Sequence, residues 1–252
     1  MIQGYVNSAT EKGSRPYQED RFVVIRHETH EEKGWLIAVM DGHGGSEVAE
    51  FCEKNLESKF KDLMSKSKNI VSIAAELVKR LTKETRHMTA GSTISLVYIS
   101  ETKSWAYVAV LGDSPVVIKS TAGLWISPEH NIRTNEKDKE LVLKKGAIYC
   151  NGYMCGLNGN SALQLTRALG DFGLDRYLIR DPEIFSVELN KNSFVLVASD
   201  GLIDPGHNNK DISNLVRIIE NDETAYDLVN DALRRRTGDN VTAVLWKPLK
   251  NS

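Results

Sequence analysis

The segment Asp41-Gly42-His43-Gly44-Gly45 places an acid and a histidine among three glycines, directly after an apolar run. The run, residues 35–40, predicts a buried strand because it is continuously apolar and contains β-branched and aromatic residues. Asp41 would then lie at the tip of that strand. Glycines let the backbone approach a ligand closely, so a small charged ligand is one interpretation. A simple Asp-Gly turn is the other, since short motifs often match by chance.

Further acids stand at other predicted strand ends, most of them beside a glycine: Glu19, Asp20, Asp113, Asp200 and Asp239. If folding brings these strand ends together, the carboxylates would repel one another unless a cation neutralised them. Oxygen ligands without a Cys/His cluster suit Mg²⁺ or Mn²⁺ and disfavour zinc. Convergence of the strand ends would therefore imply a divalent metal site.

The elements that must position these acids can be read from the apolar pattern. Strands are predicted at 21–27, 35–40, 93–100, 105–111, 115–120, 123–127, 194–199 and 241–247. Helices are predicted from Glu47 to about 64 with Ser46 as the cap, and at about 69–88, 136–145, 211–221 and 223–236. Short turns between strands and two consecutive helices do not fit alternating βα units. The expected class is α+β, with helices outside antiparallel sheets.

The composition predicts one soluble domain over residues 1–252, because 41% hydrophobic and 26% charged residues are ordinary for a globular protein. The balance of 32 basic and 34 acidic side chains gives a net charge of −2, which favours neither nucleic acid nor an anionic membrane as a partner. No apolar run is long enough to span a membrane, and the N-terminal residues lack a secretory apolar core. We expect a monomeric, cytoplasmic protein.

Two smaller features have simple interpretations. Cys52, Cys150 and Cys155 are odd in number and lack metal-type spacing, so we expect packing residues or free thiols and no disulfide framework. The run Arg234-Arg235-Arg236 ends the last predicted helix, where cations interact favourably with the helix dipole. A nucleic-acid patch is the less favoured alternative for that run, because it is shorter than typical polyanion-binding tracts.

Seven blocks of the sequence resemble, in order, those of the metal-dependent Ser/Thr protein phosphatases of type 2C. The blocks extend from residue 15 to 240 and are Arg15-x-x-x-Glu19-Asp20, Asp41-Gly42-His43-Gly44-Gly45, Gly91-Ser92-Thr93, Gly112-Asp113-Ser114, Thr166-Arg167-Ala168-Leu169-Gly170-Asp171, Ser199-Asp200-Gly201-Leu202 and Gly238-Asp239-Asn240. The resemblance implies a β-sandwich of two antiparallel sheets flanked by helices on both outer faces. It also implies a centre of two Mn²⁺ or Mg²⁺ ions at one end of the sandwich.

The resemblance assigns the ligands by position. Asp41 would bridge both metals. Asp200 and Asp239 would complete the first metal, and Glu19 with the carbonyl of Gly42 would serve the second, partly through water.

Other positions match supporting roles in the family. Asp20 matches an acid of the family's metal site that lies just behind the metal ligands. Asn240 matches the residue that stands beside Asp239. Asp113 matches the residue that binds a third, weaker metal in many members. Asp204 could approach that third metal or be an ordinary loop acid.

The implied reaction is hydrolysis of phosphoserine and phosphothreonine monoesters in proteins by attack of a metal-bridging water. Arg15 would grip the phosphate with its planar fork. His43 would donate a proton to the departing hydroxyl, since histidine titrates near neutral pH. Arg167 and Asp171 would either hold the site together or form a buried structural ion pair.

The sequence departs from the family pattern at two places. Pro115 stands where arginine is common, and the segment through Ile203 to Pro205 replaces the usual tryptophan and a following apolar residue. Residues from about 128 to 160 correspond to the family's variable flap, which we expect to shape substrate choice. A catalytically weak phosphatase-like binding or regulatory module is the alternative function. A two-metal phosphodiesterase acting on nucleic acid is a third interpretation, disfavoured by the net charge and by the lack of an aromatic and basic stripe.

Overall fold

The structure is a computed structural model that describes residues 1–157, 161–203 and 209–249. Within them the strands are β1 Gly4–Glu11, β2 Arg21–Glu28, β3 Lys33–Met40, β4 Gly42–His43, β5 Gly91–Ser92, β6 Ile94–Ser100, β7 Trp105–Leu111, β8 Val116–Ser120, β9 Gly123–Ile126, β10 Ile148–Cys150, β11 Tyr153–Cys155, β12 Ala162–Leu163, β13 Leu169–Gly170, β14 Glu183–Glu188, β15 Phe194–Ala198 and β16 Val241–Pro248. The helices are α1 Glu47–Lys66, α2 Ile70–Thr85, α3 Glu136–Lys144, α4 Asn209–Glu220 and α5 Ala225–Arg234.

Two five-stranded antiparallel sheets form the centre of the molecule. One has the order β1-β16-β15-β8-β9 and the other the order β14-β7-β6-β3-β2. Their facing side chains are mainly Val and Ile, together with the fully buried Trp246, and they form the core between the sheets. β-Branched side chains pack well on such pleated surfaces, which explains their concentration in these strands.

Helices cover the outer faces of both sheets. Helices α1 and α2 pack on the sheet that contains β3 and β6, and α4 and α5 pack on the sheet that contains β15 and β16. In α1 the buried positions, from Val48 to Leu63, recur at three-and-four spacing and form one face. The α+β class and the predicted layering of helices, two sheets and helices are therefore confirmed.

Two small sheets lie beside the sandwich. Strands β13, β5 and β4 form one, which brings Gly170, Gly91 and His43 together. Strands β10, β11 and β12 form the other, in the predicted flap segment. A core of its own, which includes Ile132 and Met154, supports this second small sheet.

The structure differs from the sequence-based predictions at a few elements. The edge strands β1 and β14 were not predicted, because edge strands are half exposed and their sequences contain few apolar residues. Ser46 precedes α1 but its hydroxyl donates to Glu50 Oε1, 3.0 Å away, and makes no cap hydrogen bond. Pro115 directly precedes β8, the strand-start position that proline tolerates.

The basic run lies at the end of α5, the position on which the dipole interpretation depends. Arg234 lies in the last turn of α5, and Arg235 donates to Asp231 Oδ2 at 3.0 Å and to the carbonyl of Leu202 at 2.7 Å. Among the described residues, no helix is both long and apolar enough to cross a membrane.

Candidate metal centre

One end of the sandwich gathers the acids that the sequence places at strand ends. Asp41 directly follows β3. Asp113 and Asp200 stand two residues after the ends of β7 and β15, and Asp239 stands two residues before β16. They open into a cavity of about 340 Å³. The site residues named from the sequence that line this cavity are Arg15, Glu19, Asp41, Gly42, His43, Asp113, Asp200 and Asp239. The metal-site interpretation required this convergence, and a set of unrelated surface turns would not produce it.

The buried acids repel one another. Burial raises the pKa of Asp41 well above its usual range, and the neighbouring Asp20, Asp200, Asp113 and Asp239 raise it further. Burial is likewise the main reason that the pKa of Asp200 is raised, with smaller contributions from the other acids and an opposing hydrogen bond from the Asp41 carboxyl. Without a counter-charge, this repulsion favours the protonated form of these carboxyl groups.

The block Gly91-Ser92-Thr93 holds the backbone of Asp41. The Asp41 amide donates to Thr93 Oγ1 at 3.0 Å, and the Asp41 carbonyl accepts from the Thr93 amide at 2.9 Å. Ser92 Oγ donates to the same carbonyl at 3.1 Å. These contacts fix the strand tip, so the carboxylate projects into the cavity from a rigid base.

Glu19 is positioned by partners that are far away in the chain. Its amide donates to Asn240 Oδ1 at 2.9 Å, and its Oε1 accepts from the Gly45 amide at 2.7 Å. A Cβ on Gly42 would lie 2.6 Å from the Glu19 carbonyl oxygen, so only glycine lets the two backbones approach this closely. The Asn240 amide nitrogen also donates to the carbonyls of Lys12 and Tyr17, which ties down the loop that carries Arg15.

Asp20 lies behind the cavity and does not line it. Only 3% of Asp20 is exposed, and its Oδ2 accepts from Ser199 Oγ and Thr242 Oγ1, both at 2.7 Å. Its Oδ1 is buried without a hydrogen-bond partner. Burial, aided by the charge of Asp239 and opposed by the two hydroxyls, raises the pKa of Asp20 to about 6.

Arg15 lies at the rim of the cavity. Its Nη2 donates to Asp239 Oδ2 at 2.6 Å and its Nε donates to the carbonyl of Gly238 at 3.0 Å. Half of the Arg15 side chain, 51%, is exposed. A surface ion pair of this kind contributes little to stability, so the guanidinium is free to exchange Asp239 for an anionic ligand.

His43 has a carboxylate partner that sequence reasoning did not assign to it. His43 Nε2 lies 2.8 Å from Asp171 Oδ2. Gly91 lies under this pair, because a Cβ at position 91 would be 2.1 Å from Asp171 Oδ2 and 2.2 Å from His43 Nε2. Asp171 itself adopts a left-handed φ of 53°, held by its amide, which donates to the carbonyl of Ala90.

Arg167 does not pair with Asp171. It forms a bidentate pair with the buried Asp138, with its Nε and Nη2 both at 2.7 Å from the carboxylate oxygens, and it also donates to Glu183. A buried structural ion pair was one of the two interpretations for Arg167 and Asp171, but the pair that Arg167 forms is with Asp138 in place of Asp171. It anchors the segment that leads to Asp171 against helix α3.

Two residues that hold the Asp113 turn carried no sequence signal of their own. Asn131 Nδ2 donates to Asp113 Oδ2 at 3.0 Å. The fully buried His130 accepts from the Gly112 amide at its Nδ1, 3.1 Å away. Burial raises the pKa of Asp113, opposed by the Asn131 hydrogen bond. Asp204, the other candidate for a third metal, lies outside the described residues.

The cavity is also lined by Tyr153, Ala162, Leu163, Gln164 and Leu165. Tyr153 lies in the predicted flap of about 128–160, and the other four directly follow it. These residues have no motif, and only the fold brings them near the acids. The role of the flap in substrate choice stays a prediction.

The donor set fits hard divalent cations, because the carboxylate oxygens of Asp41 and Asp200 share the cavity, and burial and repulsion by neighbouring acids raise the pKa of both groups. Behind the cavity, the buried Oδ1 of Asp20 has no hydrogen-bond partner. Within the described residues, however, no three acidic, histidine or cysteine side chains already surround a common ion position. Asp239 is instead paired with Arg15. Binding of a cation by Asp239 would therefore replace this contact.

A sequence model of the family described as Protein phosphatase 2C matches residues 6–241. The chain belongs to the protein phosphatase 2C family. It is 29% identical over 258 residues to the probable protein phosphatase 2C 71 of Arabidopsis thaliana, a match that covers 98% of this chain and 56% of the relative. A match to the probable protein phosphatase 2C 52 of Oryza sativa subsp. japonica covers 49% of that relative. The chain therefore spans about half the length of these two curated relatives.

Solved structures of the protein phosphatase 2C fold are similar. A sex-determining protein of C. elegans has a TM-score of 0.79 and 26% identity over 96% of this chain and 64% of that one. The catalytic domain of the Ser/Thr phosphatase PstP, solved with two manganese ions, has a TM-score of 0.67 and 18% identity, and covers 99% of this chain and 100% of that one. At this identity the second likeness concerns the fold alone.

Proposed function

We propose that this chain is a divalent-metal-dependent phosphatase that hydrolyses phosphoserine and phosphothreonine monoesters in proteins. The observation that carries the proposal is the gathering of Asp41, Asp200, Asp239 and Glu19 in one cavity, beside Arg15. Family membership adds support, and a structure of the same fold, that of PstP, holds two manganese ions. The acid-rich cavity does not favour a binding module without turnover, because such a module has no need for mutually repelling buried carboxylates.

Asp41, Asp200, Asp239, Glu19 and the carbonyl of Gly42 are the proposed metal-binding groups, with Mn²⁺ or Mg²⁺ as the metal. Bound cations supply a nucleophile from water at neutral pH and neutralise charge on the phosphoryl group. The chain's own contribution is to hold the oxygen ligands on strand tips that hydrogen bonds fix. Asp113, held by Asn131, is the proposed ligand for a weaker third ion.

Arg15 is proposed to bind the phosphate oxygens. Its guanidinium already contacts a carboxylate at the cavity rim, so an incoming phosphate can take over that contact with the same planar fork. Because the loop carrying Arg15 is held by Asn240, which also holds Glu19, phosphate and metal sites share one support. Lysine would be a poor substitute, since it lacks the fork.

His43 is proposed to give a proton to the serine or threonine oxygen as it departs. The Asp171 carboxylate, 2.8 Å from Nε2, fixes the orientation of the ring and favours a hydrogen on that nitrogen. Alkoxide leaving groups are strongly basic, so they need this proton more than nitrophenolate does.

The flap is proposed to select the substrate, because Tyr153 in the flap and Leu163 just after it line the same cavity as the acids. A folded phosphoprotein must pass this wall, whereas a small ester need not touch it. Which phosphoprotein the flap accepts depends on contacts with that partner.

The deciding experiment measures phosphate release from a phosphothreonine peptide, a phosphotyrosine peptide and p-nitrophenyl phosphate, with Mn²⁺ or with EDTA. The proposal predicts release from the phosphothreonine peptide with Mn²⁺, none with EDTA, and none from the Asp200→Asn variant. Release that persists in EDTA would refute it. A parallel assay on single-stranded DNA tests the phosphodiesterase alternative, which predicts cleavage there.

A further inference from the structure

The hairpin Ile148–Cys155, here called the flap hairpin, carries two of the three cysteines. In its antiparallel register Cys150 is opposite Tyr153, and Ile148 is opposite Cys155. Residues opposite each other, and residues two apart in one strand, point to the same face of a β-ribbon. Cys150 and Cys155 are therefore diagonal neighbours on one face of the flap hairpin.

The turn fixes this register. Asn151 and Gly152 connect the strands and have φ values of +50° and +88°. Two positive φ values are the requirement of the tight two-residue hairpin turn for which Asn-Gly is the preferred sequence. A one-residue slip would move one cysteine to the opposite face, so the turn maintains the juxtaposition of the two thiols.

Both thiols of the flap hairpin can be reached from solvent. Cys150 is exposed and Cys155 is half-buried. Cys52, by contrast, is fully buried on the inner face of α1, and burial raises the pKa of its thiol to about 12. A reagent in water would meet the pair on the flap hairpin and not the third cysteine.

We propose that Cys150 and Cys155 form a modification site that small-molecule disulfides of the glutathione type oxidise reversibly to an intramolecular disulfide. The Cys150 thiolate attacks one sulfur of the oxidised reagent and releases one molecule of reduced thiol, which leaves a mixed disulfide on Cys150. The Cys155 thiol, after losing its proton, attacks the Cys150 sulfur and releases the second molecule of reduced thiol. Two protein thiols lose two electrons and two protons, and one reagent disulfide is reduced to two thiols.

Exposure gives the order of the two steps. Cys150 is the more accessible sulfur, whereas burial and the neighbouring Cys150 raise the pKa of Cys155. Cys150 is therefore the attacking thiol, and Cys155 is the resolving thiol. A Cys155→Ser variant should consequently stop at the mixed disulfide.

Closing the bond would change the cavity wall. Diagonal pairs across a hairpin have Cα atoms about 7–8 Å apart, whereas a disulfide requires about 4.4–6.8 Å. The strands must therefore draw together diagonally. Met154, between the two thiols in the chain, is fully buried and anchored in the core below, so the displacement falls on neighbours such as Tyr153. Tyr153 lines the same cavity as Asp41 and Asp200, so this consequence for activity rests on the proposed function.

The chemical test uses the reduced full chain, incubated with oxidised glutathione and analysed by intact mass and non-reducing peptide mapping. We expect wild type to lose two hydrogen atoms and yield one peptide pair linked between Cys150 and Cys155, reversed by dithiothreitol. Cys52→Ser should behave as wild type, and Cys155→Ser should retain one glutathione on Cys150. Stable glutathione adducts on wild type without the internal link, or links to Cys52 or to a second chain, would overturn the proposal.

The functional test compares oxidised and reduced wild type on the phosphothreonine peptide and on p-nitrophenyl phosphate. Oxidation should lower kcat/KM for the peptide several-fold while the small ester changes little, and Cys150→Ser should show no such change. A verified link with unchanged peptide turnover would overturn the coupling to the cavity. Absence of turnover in the reduced protein with Mn²⁺ would instead refute the proposed function, and the mass result would still decide the modification site.

Discussion

Replacement of Gly91 by alanine should separate the role of His43 from that of the metal-binding acids. Gly91 has an ordinary φ, so the backbone accepts alanine without strain. The new Cβ would lie 2.2 Å from His43 Nε2, and an ordinary contact requires at least 3.4 Å, a displacement of about 1.2 Å. The atoms in the way are the ends of two side chains, so they can rotate apart at a modest cost in stability. Their 2.8 Å hydrogen bond cannot survive.

The expected loss follows from the size of that displacement. A misplacement of about 1 Å at a reacting group can cost about 100-fold in rate, and a general acid contributes about 10²–10⁴-fold in total. We therefore expect kcat for a phosphothreonine peptide to fall about 100-fold in Gly91→Ala. Turnover of p-nitrophenyl phosphate should change little, because nitrophenolate leaves without a proton.

The assay is steady-state kinetics of both substrates at saturating Mn²⁺, with Mn²⁺ affinity measured by calorimetry. Gly156→Ala is a matched control, because a Cβ at position 156 makes only ordinary contacts, the nearest at 3.4 Å. Asp171→Asn should reproduce the selective loss. Equal losses on both substrates would refute the assignment of His43 as the acid, and so would an unchanged rate on the peptide.

Three further predictions concern the buried charges. Asp41→Asn should stabilise the metal-free protein, because it removes an acid that its neighbours repel. It should also abolish the rise in Tm that Mn²⁺ causes in wild type. A retained rise would contradict the role of Asp41 as a metal ligand. In EDTA the protein should lose stability as pH rises from about 4 to about 6. The pKa of Asp20 is raised from 3.8 to about 6, so the folded state binds more protons than the unfolded state in that window. Asp20→Asn should make the calorimetric Tm profile less steep there, and an unchanged slope would contradict this reasoning. Arg167→Met should lower the free energy of unfolding in urea by about 3–5 kcal/mol, because it leaves Asp138 buried without its partner. Adding Asp138→Leu should recover most of this loss. A loss below about 1 kcal/mol in Arg167→Met would show that the pair is not structural.

The sequence predicted the main elements and the acids that share the cavity, because both signals are local. Apolar runs identify the central strands, and Asp41, Asp113 and Asp200 each follow such a run. Edge strands such as β1 are half exposed and polar, so their pattern is weak.

The partners of the candidate site were harder to predict, because they depend on tertiary contacts. Asp171 lies 128 residues from His43, and only the pairing of β4, β5 and β13 brings them together. Tyr153 and His130 have no motif at all. The metal-ligand and catalytic roles of the gathered residues stay predictions, and so does the choice between Mn²⁺ and Mg²⁺.

The most direct test of the account is anomalous diffraction at the manganese edge from crystals of this chain soaked in Mn²⁺. The account predicts strong peaks inside the cavity, within coordination distance of the carboxylates of Asp41, Asp200 and Asp239. No peak in that cavity at a Mn²⁺ concentration that supports turnover, or peaks only at surface acids elsewhere, would contradict it.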